Sequence, residues 1–307
     1  MKKVVRMLGL CALVALAFTA CKKDDTQKVT FTATVTQPTS NVRTHAVGYG
    51  HHLVWDAGDQ IKVFNNAGAD MDFALPTEIT PNEKTVTFNV VGNEKVAFVS
   101  NLFTQPYYAF YPNALVAGNQ VTMEIPEEQV YVPQRNFDNN LYPMVGFNFY
   151  EDDNQNVVYT DNFNFVSDAG FLNFSVTCPQ VLSGQVFVDR VVLTANADDD
   201  YLNGTYVYEK DGTLSDFIGN TNQITMWVKD EDGNVVSAPL DWQMARDFTF
   251  VLPEGALASG FTIDVYNGDE LLKSFEAPAV SNTIEAMKYT VMNPVSVGNE
   301  NQIIILP

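Results

Sequence analysis

The sequence predicts an all-β protein, and three observations support that prediction. Residues 29–36 read Val-Thr-Phe-Thr-Ala-Thr-Val-Thr, so apolar side chains alternate with threonine without a break. This period of two, rich in β-branched residues, is typical of a half-buried strand. Asn-Gly and Asp-Gly pairs divide the chain, and they tolerate the positive φ of type I′ hairpin turns. Beyond residue 21, no run of ten or more residues has a convincing helical period.

The alternating pattern recurs along the whole chain. Further segments with it are 60–64, 85–90, 120–125, 171–176, 186–193, 224–228 and 261–266. The turn pairs are Asn203-Gly204, Asp211-Gly212, Asp232-Gly233 and Asn267-Gly268. Many short strands with regular turns favour β-sandwiches, and a chain of 307 residues fits two sandwiches better than one.

A change in composition near the middle of the chain suggests where the two sandwiches meet. Residues 151–156 are entirely polar, and residues 161–165 then begin a new apolar series. We therefore predict an N-terminal β-sandwich domain over residues 28–160 and a C-terminal one over residues 161–307.

The first 20 residues have the parts of a secretory signal peptide, and residues 21–27 then form a short linker. The charged start holds Lys2, Lys3 and Arg6. The apolar run 7–18 is shorter than the ~20 residues that span a bilayer, so cleavage and export are favoured over a membrane anchor.

The end of this leader resembles the lipobox of bacterial lipoproteins. Thr19 and Ala20 are small and precede Cys21, and the resemblance implies that Cys21 carries lipid, palmitate included. The next residues, Lys-Lys-Asp-Asp over 22–25, resemble the signal that sends lipoproteins of Bacteroidota to the outer face of the outer membrane. Outer-membrane lipid is therefore an expected partner through Cys21.

Charge and cysteine usage exclude some classes of function. The chain has 17 basic and 37 acidic residues, a net charge of −20, and the leader contributes only basic ones. Such a surface repels phosphate backbones, so we expect no nucleic-acid partner. After the lipidated Cys21 only Cys178 remains, so no disulfide forms within the chain, and Cys178 is predicted to be a small buried hydrophobe.

The sequence offers little catalytic chemistry, and we expect no enzyme, no metal and no cofactor. The three histidines, His45, His51 and His52, lie in one polar, glycine-containing segment, which indicates an exposed loop. No Gly-x-Ser-x-Gly elbow and no phosphate-binding loop is present. The acidic clusters 151–153 and 198–200 could hold Ca²⁺, but solvated turns are the more frequent reason for such clusters.

Five segments in order resemble the fimbrillin family of Bacteroidota, the lipoprotein-derived pilus and adhesin subunits. They are the strand 29–36 followed by 54–64, then 108–112, 125–129 running to 142–145, 165–176, and 188–193 leading to 202–204. The resemblance implies two transthyretin-like β-sandwich domains. It also implies cleavage after a basic residue that follows the first strand, loss of that strand, and its replacement by a strand from another subunit.

This sequence has a candidate for each part of that process. Arg43, followed by Thr44, is the only Lys or Arg between Lys28 and Lys62, which makes it the cleavage candidate, although it could also be an ordinary loop arginine. The candidate donor strand is the apolar C-terminal run Ile303, Ile304, Ile305 and Leu306, which could equally close its own sheet.

Two functions therefore remain open at this point. The first is a fimbrial subunit or cell-adhesion protein whose partners are other fimbrial subunits and host or bacterial surface receptors or glycans. The alternative is a glycan-binding outer-membrane lipoprotein that uses Trp227 or Trp242 as a stacking face. A hydrolase on a β-sandwich is a third hypothesis, with the least support from the sequence. For a fimbrial subunit, the sequence does not distinguish between stalk, tip and anchor roles.

Overall fold

The computed structural model describes most of the chain after the leader. The described residues are 30–40, 53, 55–65, 68–76, 78, 85–91, 105–112, 114–131, 141–178, 186–230, 232–240, 245–279 and 283–297. Among them the protein is all-β with no helix, which confirms the predicted fold class. Within the same residues, no helix long and apolar enough to cross a membrane is found.

Among the residues that the structure describes, eleven strands lie before residue 167. They are β1 (Thr30–Val35), β2 (Thr39–Ser40), β3 (Gln60–Asn65), β4 (Asp70–Ala74), β5 (Thr85–Val90), β6 (Tyr107–Tyr111), β7 (Leu115–Ala117), β8 (Gln120–Ile125), β9 (Glu128–Tyr131), β10 (Met144–Glu151) and β11 (Val157–Val166).

Twelve strands follow. They are β12 (Ala169–Thr177), β13 (Val186–Val188), β14 (Arg190–Ala195), β15 (Gly204–Glu209), β16 (Leu214–Gly219), β17 (Gln223–Val228), β18 (Ala238–Leu240), β19 (Arg246–Pro253), β20 (Gly260–Asn267), β21 (Glu270–Pro278), β22 (Lys288–Val291) and β23 (Val295–Ser296).

Seven strands of the first half close into a barrel. The order is β1-β11-β10-β6-β3-β4-β5, and β5 pairs again with β1. Most neighbours are antiparallel, but β1 and β11 run parallel. Closure gives each of these strands a neighbour on both sides, although β4 and β5 pair at only two positions.

The remaining strands form open sheets beside the barrel. One five-stranded sheet has the order β21-β20-β14-β17-β9, and a second has the order β19-β12-β22-β2, with β23 as its fifth strand on β12. A third joins β16-β15-β8-β7, and β13 pairs with β18. Strands β7, β8 and β9 precede β10 in the chain but pair with later strands or with each other, so the order of the strands in space departs from their order in sequence.

The predicted change of domain falls inside one strand. Residues 160 and 161 both belong to β11, which pairs with β10 through a hairpin and stays in the barrel to Val166. The chain leaves the barrel at Ser167 and Asp168, directly before β12. Residues 152–156 of the polar stretch are the turn of this hairpin, and the division into two domains near residue 160 stays a prediction. The transthyretin-like topology of the two domains stays a prediction.

Every alternating segment named from the sequence is a strand, with one interruption. The segment 186–193 divides into β13 and β14 at Asp189, whose carboxylate accepts a hydrogen bond from the backbone N–H of Gly268. Gly212, Gly233 and Gly268 lie in turns at positive φ, as predicted. Gly204 instead begins β15, where an added Cβ would lie 2.3 Å from the carbonyl oxygen of Ile218. Cys178 is buried at 1% exposure, as predicted.

Candidate functional site: the first strand

Strand β1 closes the barrel, and its alternating sequence explains how. Phe31, Ala33 and Val35 point inward and are 0%, 0% and 3% exposed. One edge of β1 pairs antiparallel with β5, from Thr30 opposite Asn89 to Thr34 opposite Thr85. The other edge pairs in parallel with β11. The first strand of the chain is therefore a central strand of a closed sheet, buried on its inner face.

Phe31 occupies an aromatic pocket inside the barrel. The centroid of its ring lies 5.0 Å from that of Phe73, 5.9 Å from that of Tyr107 and 4.8 Å from that of Phe163. These are the tilted and edge-to-face arrangements that aromatic pairs prefer. A chain without β1 would leave this pocket empty and three large aromatic side chains without their common partner.

The outer face of β1 is polar and continues onto its neighbours. The hydroxyl groups of Thr34 and Thr85 lie 2.9 Å apart, and that of Thr34 also donates to the side-chain oxygen of Asn162 at 3.0 Å. The Asn162 amide in turn donates to the side-chain oxygen of Asn164 at 3.0 Å. These contacts are exposed or half-exposed, so we expect each to contribute little to the stability of the barrel. The position of β1 therefore depends mainly on the buried side chains of its inner face.

Beyond β1 the chain crosses from the barrel to an open sheet. The Gln37 amide donates to the carbonyl oxygen of Leu53 at 2.9 Å and accepts from the Leu53 N–H at 3.1 Å. Strand β2 then pairs in parallel with β22, with Ser40 opposite Tyr289. The segment 30–40 therefore contributes backbone hydrogen bonds to both parts of the molecule.

The segment that follows the predicted cleavage loop is anchored within the barrel. Trp55 is 2% exposed, and its ring lies edge-on to those of Phe88, Tyr111 and Phe165, at 5.1 to 5.2 Å. Asp59 holds the next turn because its carboxylate accepts the N–H of Asp56 at 2.8 Å. The described chain is thus fixed on both sides of residues 41–52.

The predicted site residues themselves lie outside the described residues. This applies to Cys21, to Arg43 and Thr44, and to the donor candidates Ile303, Ile304, Ile305 and Leu306. The described chain ends at Val297, whose N–H donates to the carbonyl oxygen of Thr177 at 2.8 Å beside β12. The structure therefore describes the residues on both sides of the segment that contains Arg43, and the chain up to Val297.

The other predicted features have structural surroundings of their own. Trp227 is half-buried and lies opposite Arg190, whose guanidinium is 5.5 Å from its ring and 4.3 Å from that of Tyr266. Trp242 and the three histidines lie outside the described residues.

In the acidic cluster 198–200, Asp200 accepts the N–H groups of Leu257 and Ser259, so it holds a neighbouring loop. Within the part of the chain that the structure describes, no three His, Cys, Asp or Glu side chains converge as metal ligands.

A cluster of buried tyrosines at the exit from the barrel escaped the sequence analysis. The hydroxyl of Tyr208 donates to the carboxylate of Asp168, and that of Tyr206 donates to the Asp168 carbonyl oxygen, both at 2.9 Å. Tyr142 donates to the carbonyl oxygen of Ala169 at 3.3 Å. Burial raises the pKa of all three, and the Asp168 carboxylate raises it further. Nothing in the local sequence could have indicated this cluster, because its members are far apart in the chain.

Comparisons with known proteins agree with this architecture. No family model matches the chain, and no curated protein sequence matches it. A solved structure from Bacteroides ovatus, provisionally described as a cell adhesion protein, is similar with a TM-score of 0.52 and 12% identity over 88% of this chain and 92% of that one. A second, from Bacteroides uniformis with the same description, has a TM-score of 0.50 and 14% identity over 89% and 94% of the two chains.

These two similarities show a shared fold. The chain has the fold of Bacteroides proteins described as cell adhesion proteins, which fits the fimbrillin-like resemblance of its sequence.

Proposed function

We propose that this protein is a surface-exposed fimbrial subunit or cell-adhesion protein whose first strand is exchanged for a strand of another subunit. The observation that supports strand exchange is the position of β1 in the barrel. It fills the gap between β5 and β11 in a closed barrel, and its link to the rest of the protein runs through residues 41–52, which include Arg43.

Cleavage at Arg43 would leave the segment 30–40 held by noncovalent contacts alone. Its departure would expose the edges of β5 and β11 and the aromatic pocket of Phe31. Unpaired edges and large exposed apolar surface are both unfavourable, so the opened barrel has a strong tendency to accept another strand. In strand addition, backbone hydrogen bonds supply affinity and alternate side chains fill pockets.

The C-terminal run is our candidate for that added strand. Ile303, Ile304, Ile305 and Leu306 are all apolar and form a segment of suitable length. Since side chains alternate along a strand, two of these four residues would take two of the three inner positions that Phe31, Ala33 and Val35 occupy in a neighbouring subunit.

The remaining parts of the proposal concern location and role. Export, lipidation of Cys21 and an outer-membrane location rest on the leader and the residues after it. A role in adhesion or assembly rather than catalysis is supported by the shared fold with proteins described as cell adhesion proteins. The partners would be other subunits and surface receptors or glycans.

The test is the N-terminal sequence of the protein on intact cells, with and without an arginine-specific protease. We expect a new N-terminus at Thr44 and high-mass ladders that resist SDS. The Arg43→Ala variant should keep the N-terminus at Cys21 and lose the ladders, whereas Arg135→Ala should behave as the wild type. A wild-type chain that always begins at Cys21 and forms no ladders would refute strand exchange.

The lipid anchor has a separate test. The Cys21→Ala variant should lose incorporation of labelled palmitate and leave the membrane fraction. Retention of both the label and the membrane association would show that Cys21 is not the site of lipidation.

A further inference from the structure

The outer wall of the barrel has a group of aromatic side chains that the closing of the barrel does not require. Tyr108 lies on β6, Phe147 and Phe149 on β10, and Tyr159 on β11. All four are partly exposed, in contrast to the buried rings inside the barrel. Ring centroids of neighbouring pairs lie 5.7 to 6.1 Å apart, in edge-to-face arrangements. We call these four residues the aromatic shelf.

Alternation along β10 places two of the rings on the same face. Phe147 and Phe149 are two residues apart, so both side chains point outward, and the pairing with β11 is irregular between them. Asn148, between them, is fully buried, and its side-chain oxygen accepts the N–H of Tyr107 at 2.7 Å. Asn148 points inward, as alternation requires, and its hydrogen bond holds β10 between the two outward rings.

The hairpin between β15 and β16 borders the shelf on one side. Its tip includes Gly212, where an added Cβ would lie 2.8 Å from the ring of Phe147. The preceding part of the hairpin covers the adjoining wall, since the ring of Tyr208 lies 5.9 Å from that of Phe110. Among the described residues, the hairpin therefore packs on one end of the aromatic wall, and the four shelf residues retain exposed surface beside it.

Polar groups converge at the same place. The pKa of the Tyr108 hydroxyl is raised by burial and then by the nearby Asp211 carboxylate and the Tyr159 hydroxyl. Asn164 lies opposite Phe147 in the pairing of β10 with β11, and its side chain accepts a hydrogen bond from Asn162. Hydroxyl, carboxylate and amide groups beside exposed rings suit a ligand that has both apolar C–H faces and many hydroxyl groups.

The charge of the surrounding residues also limits the class of ligand that this surface could bind. The chain has a net charge of −20, and Asp211 adds a carboxylate beside the shelf. The nearby Lys210 is already engaged, since its ammonium donates to the Gly68 carbonyl oxygen at 3.2 Å and lies 5.4 Å from the ring of Phe64. An anionic sugar would be repelled by this excess of negative charge.

We propose that the aromatic shelf, with Asp211 and Asn164, is a binding site for a neutral glycan. It lies outside the groove that receives the first strand. The proposal rests on the adhesive role proposed above, because the glycan would be the receptor, or part of it.

The test is binding of the mature chain to an array of neutral oligosaccharides printed beside sialylated and sulfated forms of the same chains. We expect retention of neutral chains only. With the strongest of them in isothermal titration, Phe149→Ala should weaken binding by about tenfold or more, as the loss of one stacking ring implies. Asp211→Asn should weaken it less. Tyr150→Ala is the matched control, because Tyr150 is exposed and adjacent in sequence but is not among the rings of the shelf.

The outcomes separate this site from the proposed function. Absence of binding to every neutral chain, binding of charged forms alone, or a correctly folded Phe149→Ala variant that binds as tightly as the wild type would each overturn the site. Formation of ladders is measured on the same preparations. Ladders without sugar binding would refute the site and leave the fimbrial role intact, whereas absence of ladders refutes strand exchange whatever the array shows.

Discussion

The barrel and the open sheets beside it differ in how their edge strands are kept from pairing with other chains. The barrel closes on itself, and the strand that closes it is the first in the chain. The open sheet β21-β20-β14-β17-β9 ends in β21, a nine-residue edge strand whose residues are all exposed or half-exposed. That strand has Glu270, Lys273, Glu276 and Pro278, the kinds of residue that discourage pairing with a foreign strand.

This difference shows where the molecule is open to exchange. The permanent edge at β21 is protected by its own side chains, so it needs no cover. Strands β5 and β11 have no comparable series of charged residues and proline. Their edges are instead covered by β1. Removal of one segment therefore changes the barrel far more than any comparable loss would change the open sheet.

The largest effect is expected from removal of the first strand. A chain without residues 22–43 should lose protection of the β5 and β11 amides from hydrogen exchange and should self-associate. A peptide of residues 28–37 added in trans should restore the protection and the monomer. A peptide with Phe31 and Val35 replaced by serine is the control. Full protection in the truncated chain alone would contradict the role of β1 in closing the barrel.

A smaller effect is expected when Phe31 is replaced by alanine. The empty aromatic pocket should lower the free energy of unfolding of the barrel by about 3–5 kcal/mol, as for other large-to-small changes in a core. Hydrogen exchange resolved by peptide should place the loss in β1, β5 and β11. Phe250→Ala, equally buried on β19, is the matched control and should weaken β12 and β19 instead. An identical pattern for the two variants would mean that the two regions do not behave independently.

The tyrosine cluster between the two regions predicts a loss of stability at alkaline pH. Burial raises the pKa of Tyr142, Tyr206, Tyr208 and Tyr289, so their neutral form is favoured in the folded state. This contribution is complete below the unfolded value near 10 and decreases as the pH rises toward the folded value. Each tyrosine should then remove about 1.4 kcal/mol per pH unit.

Urea denaturation between pH 9 and 11 would measure this slope. Tyr208→Phe should reduce it by about one tyrosine's share, and it should also destabilise the protein at neutral pH because the carboxylate of Asp168 loses a donor. A slope that Tyr208→Phe leaves unchanged would mean that this hydroxyl ionises as readily in the folded state as in the unfolded chain.

The smallest effect is expected on the outer surface of the barrel. Lys62 lies 2.5 Å from the carboxylate of Asp72 and 3.5 Å from that of Asp70. Exposed pairs contribute roughly 0.2–1 kcal/mol, and salt screens them. Lys62→Met should therefore change the free energy of unfolding by less than about 1 kcal/mol, with the difference vanishing at 1 M salt. A loss as large as that of Phe31→Ala would contradict the view that the inner face determines the stability of the barrel.

The position of many strands could be predicted because each has a local sequence pattern. The Thr-rich alternation of β1 gives both its extended conformation and its buried face, and the Asp-Gly pairs give turns. The pairing of strands could not be predicted in this way. Strand β8 pairs with β15, and β1 pairs with β11 across about 130 residues, and such pairings depend on packing between distant parts of the chain.

The candidate site was predicted only in part for the same reason. Alternation identified β1 as a strand, but its place between β5 and β11 follows from the closure of the barrel. In strand β6, Phe110 is on the outer face but is also buried, since it packs against Tyr208 of a distant hairpin. The four rings of the aromatic shelf come from β6, β10 and β11, and they meet only because these strands pair, so the shelf was not visible in the sequence.

The central claim is that β1 must leave the barrel for the subunit to assemble, and a disulfide across its edge tests this directly. Thr34 and Thr85 lie opposite each other, with hydroxyl groups 2.9 Å apart, so a Thr34→Cys/Thr85→Cys variant should form a bond that pins β1 to β5. The account predicts a folded monomer with no SDS-resistant ladders under oxidising conditions, and ladders like those of the wild type after reduction. Ladders that form while the disulfide is intact would contradict it.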